Sequence, residues 1–265
     1  MEATLRRDRV LIGLCLAVMV ALSWIYLVDM AGEMSGMDTA GMSGMAMTMP
    51  DMVMSAADAW SARDLTLLWV MWIVMMIAMM VPSASPMTFA FLSVNQRRQS
   101  AARPVVPTSI FVLGYIGIWA AYSALATLAQ WGLHQAALIS PSMTVTSPFL
   151  QGGLLLSAGI FQWTPPKRAC LAGCRSPLSF LMSEWREGRW GAFVMGLRHG
   201  GYCVGCCWIL MALLFVAGVM NLFWVAAIAI FVVAEKLLPR GEVVGKVAGL
   251  ALAAAGLAVM LQELS

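Results

Sequence analysis

Apolar positions in this chain gather into long runs, and polar positions gather between them. The runs cover residues 10–28, 65–81, 109–131, 149–163, 199–219, 222–238 and 243–260. None alternates polar and apolar, so a membrane β-barrel is not indicated. A helix needs about 20 mostly apolar residues to cross the hydrocarbon core, and most of these runs approach that length. The pattern predicts an all-α, polytopic transmembrane helix bundle of about six to seven spans. The fourth run is short for a crossing. The fifth and sixth are separated only by a tight turn near Met220-Asn221, so they read equally as a hairpin that does not fully cross. The expected organisation is an N-terminal transmembrane helix (1–28), a Met-rich external loop (29–63) and a helical membrane domain (64–265).

Composition reinforces the pattern. Hydrophobic residues make up 61% of the 265 positions and charged residues 11%, against roughly 25% charged in a soluble domain. So few charges cannot cover a water-exposed surface. Nothing in the chain suggests nucleic-acid binding. Arg6, Arg7 and Arg9 precede the first run as in a signal peptide, but Trp24, Ile25 and Tyr26 make a poor cleavage site. The run reads as a retained helix. With seven spans and a cytoplasmic N-terminus, 15 of the 16 Lys and Arg residues face the cytoplasm and only Arg63 lies outside, as the positive-inside rule requires. The expected location is a bacterial inner membrane.

Two groups of soft donors change the picture from bundle to metal chemistry. Residues 30–54 read MAGEMSGMDTAGMSGMAMTMPDMVM, with nine Met among 25 residues, including Met34, Met37, Met42 and Met45. Small residues fill the gaps, which predicts a flexible chain. A thioether is a neutral soft donor that selects Cu(I) over hard cations, and unlike a thiol it survives an oxidising compartment. The second run continues the theme. Met71, Met75 and Met79 recur every fourth residue and share a helix face, with Met76 and Met80 alongside. Met is also an ordinary adaptable core residue, so the line is a candidate metal relay only because it follows the Met-rich segment. Pro82 and Pro86 are expected to break or kink this helix.

Five of the six cysteines fall in two clusters. Cys170 and Cys174 lie in TPPKRACLAGCRSP; Cys203, Cys206 and Cys207 lie with His199 in RHGGYCVGCCW. On a helix, His199, Cys203 and Cys207 share a face. Thiolates bind Cu(I), zinc and iron–sulfur clusters. Nearby Lys167, Arg168, Arg175 and Arg198 are expected to favour thiolates. Five cysteines within 38 residues are more than random packing calls for. The expectation is that both clusters meet in one site at the inner membrane surface, holding Cu(I), with zinc as the alternative. Glu235 and Lys236 end the sixth run; mutual pairing and snorkelling account for them, with Glu235 a candidate carboxylate supporting the site. His134 shares the second external loop with Met143, and a lone loop histidine is more often solvated than a ligand.

The stretches WIVMMIAMMVPSASPM, FQWTPPKRACLAGCRSP, GLRHGGYCVGCCWILMALLFVAGVMN and EKLLP together resemble a bacterial family of uncharacterised integral membrane proteins described as metal-binding. The resemblance covers about residues 65–260. It implies Cys170, Cys174, His199, Cys203, Cys206 and Cys207 as ligands, and it does not extend to the Met-rich segment. The functional expectation is handling of a soft metal, by transport or by delivery to a partner membrane or periplasmic copper protein. The alternatives are a membrane oxidoreductase using metal or a dithiol pair, and a metal-binding subunit of a larger membrane complex. No residue is singled out as catalytic.

Overall fold

The computed structural model describes residues 2–44, 60–99, 107–140 and 143–263. Ten helices follow in chain order: α1 (Glu2–Gly44), α2 (Ala62–Gln99), α3 (Thr108–Gln135), α4 (Pro148–Phe161), α5 (Pro165–Arg175), α6 (Pro177–Glu184), α7 (Gly188–Ala212), α8 (Leu214–Ala217), α9 (Leu222–Leu237) and α10 (Gly241–Gln262). Among the described residues the extended backbone amounts to one isolated bridge, between Ile139 and Val145. The protein is an all-α bundle.

Five segments are long and apolar enough to cross a membrane: Arg7–Gly32, Ala62–Arg98, Thr108–Gln135, Gly188–Ala217 and Gly241–Gln262. The shorter α4 and α9 complete the set of seven apolar runs. Outward faces of α1 and α10 carry exposed Leu11, Leu14, Leu22, Ile25, Val247, Leu250 and Leu257. Continuous apolar faces of this kind suit lipid rather than water.

Glycines bring the helices close. A Cβ on Gly159 would lie 2.6 Å from the backbone of α10, and one on Gly249 would lie 2.6 Å from Gln162. At the crossing of α3 and α7, Gly114 and Gly196 face each other, and a side chain on either would strike the other helix's backbone. Small residues allow such approach where packing, not water, drives association.

Three expectations need correction. Pro82 and Pro86 do not break α2, which runs on to Gln99. Pro86 has no N–H for the carbonyl of Pro82, and the Ser85 hydroxyl donates to that carbonyl at 2.8 Å instead. The polar stretch between the fourth and fifth runs is helical: α5 and α6 occupy it, and α7 starts at Gly188, eleven residues before the expected span. Lastly, α1 continues helically to Gly44, through Met34, Met37 and Met42, where a flexible chain was expected. The side chains of those three residues, and all of Met45, lie outside the described residues.

Candidate metal centre

The site forms where α7 meets α2, α3, α5 and α9. Helical spacing along α7 places Cys203 and Cys207 one turn apart, with Cys206 beside them, and all three are buried. The Cys206 and Cys207 thiols donate to the Cys203 carbonyl at 3.1 and 2.9 Å. This back-bonding is a local alternative open to a short polar side chain on a helix, and it holds the sulfurs in one layer. From α5, the Cys174 side chain faces Cys203 and Cys206. Cys170 lies against Gly205, where a Cβ would come within 2.7 Å of its Sγ. The two cysteine clusters, 29 residues apart between Cys174 and Cys203, therefore meet. Cys170 and Cys174 are only half-buried, so α5 forms the side of the site nearer the surface. Burial raises the Cys170 thiol above its ordinary value, and the adjacent Cys206 adds to the effect.

The methionine line of α2 ends at these cysteines. Met71, Met75, Met76, Met79 and Met80 are all buried in the same core as Cys203, Cys206 and Cys207, and Met80 Sδ lies 4.0 Å from Cys207 Sγ. His199 lies one turn from Cys203, but its ring is boxed by aromatics. It stacks on Phe111 and Tyr115 at 6.1 and 5.7 Å and meets Phe180 edge-on at 5.7 Å. Its Nδ1 has no hydrogen-bond partner among the described residues.

The charges differ from those expected. Lys236 does not pair with Glu235 or reach a surface. Its ammonium is buried and donates to Cys203 Sγ at 2.8 Å and Ser83 Oγ at 3.1 Å. Glu235 instead pairs with Lys167, whose Nζ lies 2.7 Å from Oε1 and 2.9 Å from Oε2, and Lys167 also donates to Gln162. Two of the other nearby cations, Arg175 and Arg198, are engaged elsewhere. Arg175 donates to the carbonyls of Leu238 and Pro239, and Arg198 pairs with Glu184. The reason is packing: consecutive residues on α9 point about 100° apart, so Glu235 faces α5 while Lys236 faces α2 and α7.

Tyr115 and Ser83 are site residues that sequence reasoning missed. The Tyr115 hydroxyl sits 3.1 Å from Cys203 Sγ and donates to the Met80 carbonyl at 3.1 Å. A single Tyr inside an apolar run gives no spacing to read. Ser83 stood out only as part of PSASP.

Among the described residues, no group of three or more His, Cys, Asp or Glu side chains is set to hold a metal ion. A closed tetrahedral zinc site needs four such ligands, and that arrangement is not assembled. What is assembled is a buried layer of thiols with one thioether at its edge and one ammonium against it.

Fold and site thus define an all-α bundle with membrane-length apolar helices around a soft-donor centre. A family model described as a copper chaperone, PpoB2, matches residues 69–259, and the chain belongs to that family. No curated protein and no solved structure matches it.

Proposed function

We propose that this protein is a membrane-embedded copper chaperone that holds Cu(I) on sulfur and passes it to a membrane or periplasmic copper protein. The observation that carries the reading is the meeting of half-buried Cys174 with buried Cys203, Cys206, Cys207 and the Met80 thioether. Thiolate and thioether are the donors that select Cu(I). A cargo ion must also leave, and low coordination by two or three sulfurs serves that better than a closed cage.

Charge supports the same reading. Cu(I) on two thiolates carries one net negative charge, and a buried unpaired charge is costly. The Lys236 ammonium, 2.8 Å from Cys203 Sγ, neutralises it without competing as a ligand. Thiols release protons as they bind metal, and half-buried Cys170 and Cys174 give those protons and the incoming ion a way past α5. The location proposed is a bacterial inner membrane with the N-terminus in the cytoplasm.

The test is anaerobic Cu(I) titration of the purified full chain in detergent, in competition with a chromophoric Cu(I) chelator. The wild type is expected to show a tight class of copper that a Cys203→Ser, Cys207→Ser variant loses. Tight copper unchanged in the variant would remove the thiolate site, and with it this reading.

A further inference from the structure

A second group of soft donors lies at the other end of the methionine line. A cavity of about 390 Å³ is lined by Trp60, Gln130, His134, Ile139, Ser140 and Met143. The cysteines play no part in it. We propose that His134 and Met143 form a separate Cu(I) site in this cavity, through which cargo joins or leaves the line leading to the cysteines. The proposal extends the copper reading given above and rests on it for the identity of the cargo.

The backbone supplies the first argument. Met143 has φ of 58°, a left-handed conformation that Gly or Asn adopts far more readily. Contacts among Ser140, Met143 and Thr144 fix that geometry. Met143 N donates to the Ser140 carbonyl at 2.9 Å, Ser140 N donates to the Thr144 carbonyl at 2.8 Å, and the two hydroxyls lie 2.6 Å apart. Those contacts hold the unusual backbone in place, and the thioether it carries lines the cavity.

Polar contacts orient that thioether. The Gln130 amide donates to Met143 Sδ at 3.4 Å, while its Oε1 accepts from the Trp72 indole at 2.8 Å. Gln130 is buried and therefore fixed. Trp72 belongs to α2 beside Met71, and from there Met75, Met76, Met79 and Met80 lead to Cys207. Nine residues from Met71 to Met80 span about 13.5 Å of helix. Buried thioethers fill that length without an intervening charge.

The donor set suits a transit site. Imidazole nitrogen and thioether sulfur are both neutral ligands of soft or borderline metals, so the bound ion keeps its positive charge. Trp60 covers the site, with its ring centroid 5.0 Å from that of His134, and an indole face attracts a cation. Neutral donors hold Cu(I) more weakly than thiolates, so the ion runs from this cavity toward the cysteines unless a partner draws it outward. Trp60 is also where the chain enters α2 after the Met-rich segment.

Cu(I) titration of the full chain, with EXAFS on the Cys203→Ser, Cys207→Ser variant loaded with one equivalent, tests this. The cysteine variant is expected to retain a weaker copper class with one imidazole and one or more sulfur neighbours. Adding His134→Gln and Met143→Leu to that variant should weaken this class at least tenfold and abolish the imidazole scattering. In the otherwise wild-type chain, the same two changes should leave the tight class intact, which also shows that the chain has folded. His134→Gln alone, at an exposed position, should remove the imidazole signal without touching the fold. A weaker class with only sulfur neighbours, or one indifferent to His134 and Met143, overturns the proposal. Failure of the thiolate reading would appear in the tight class instead, so the two outcomes are separable.

Discussion

At the scale of single residues, Lys236 has the most consequential placement. An ammonium buried against a sulfur is stable only if charge or hydrogen bonds compensate its lost hydration, and here Cys203 and Ser83 supply them. Two unit charges 4 Å apart interact by about 4 kcal/mol at an effective dielectric near 20. Part of that is offset by relaxation around an unpaired thiolate complex. Lys236→Met is therefore expected to weaken Cu(I) binding at least tenfold, about 1.4 kcal/mol, by chelator competition. Its copper-free melting temperature should hold or rise, since an apolar side chain replaces a buried charge. Equal copper affinity in this variant would mean that the ammonium does not balance the complex. Lys236 also shows the limit of sequence reading at this scale. AEKLLP places Glu235 and Lys236 side by side, and adjacency suggests pairing. On a helix neighbours diverge, and only the arrangement of α2, α5 and α7 around α9 decides which partner each one meets.

At the scale of elements, the methionine line was legible because it depends on helix geometry alone. Residues at every fourth position share a face wherever the helix is placed, and the spacing of His199, Cys203 and Cys207 was readable for the same reason. The contact between the CxxxC of α5 and the cysteines of α7 was an expectation that the packing of α5 realises. The helicity of α5 and α6 was not legible: three prolines and many charges between 164 and 190 give no helical period, while Pro at the first turn of each helix in fact starts it. What fastens α5 to α9 is the buried Lys167–Glu235 pair. Removing one partner of a buried pair costs roughly 3–5 kcal/mol, whereas replacing both with apolar residues is close to neutral. Lys167→Met alone should thus lower the melting temperature in detergent sharply, and Lys167→Met with Glu235→Leu should recover most of the loss. Because α5 carries Cys170 and Cys174, the single variant should also lose copper affinity and the double variant regain it. A double variant as unstable as the single one would show that the pair matters for more than its charge.

At the scale of the whole molecule, the distribution of charge bears on which helices cross the membrane. α2 has 38 residues, about 57 Å of helix, against a hydrocarbon core of about 30 Å; part of it must stand outside. The ion pairs Arg98–Glu187 and Arg198–Glu184 join the last turn of α2, the end of α6 and the first half of α7, and they mark a polar layer on one side. If only the five long helices crossed, residues 136–187 would all lie opposite the N-terminus. Nine Lys and Arg residues would then face the cytoplasm (6, 7, 9, 97, 98, 103, 236, 240 and 246) and seven the exterior (63, 167, 168, 175, 186, 189 and 198). If α4 and α9 cross as well, the ratio becomes 15 to 1. Under the positive-inside rule seven crossings are the expected outcome despite the shortness of α4 and α9, which would put the α5–α6 cap and the half-buried Cys170 and Cys174 on the cytoplasmic side. Met182 on α6 is 85% exposed and reports the difference. Met182→Cys should resist a membrane-impermeant maleimide in intact spheroplasts and react in inverted vesicles, with the parent chain as the background for Cys15. The reverse labelling would place the cap outside and leave five crossings. The cysteine site would then open toward the same side as the His134–Met143 cavity, and the methionine line would no longer join opposite faces of the membrane.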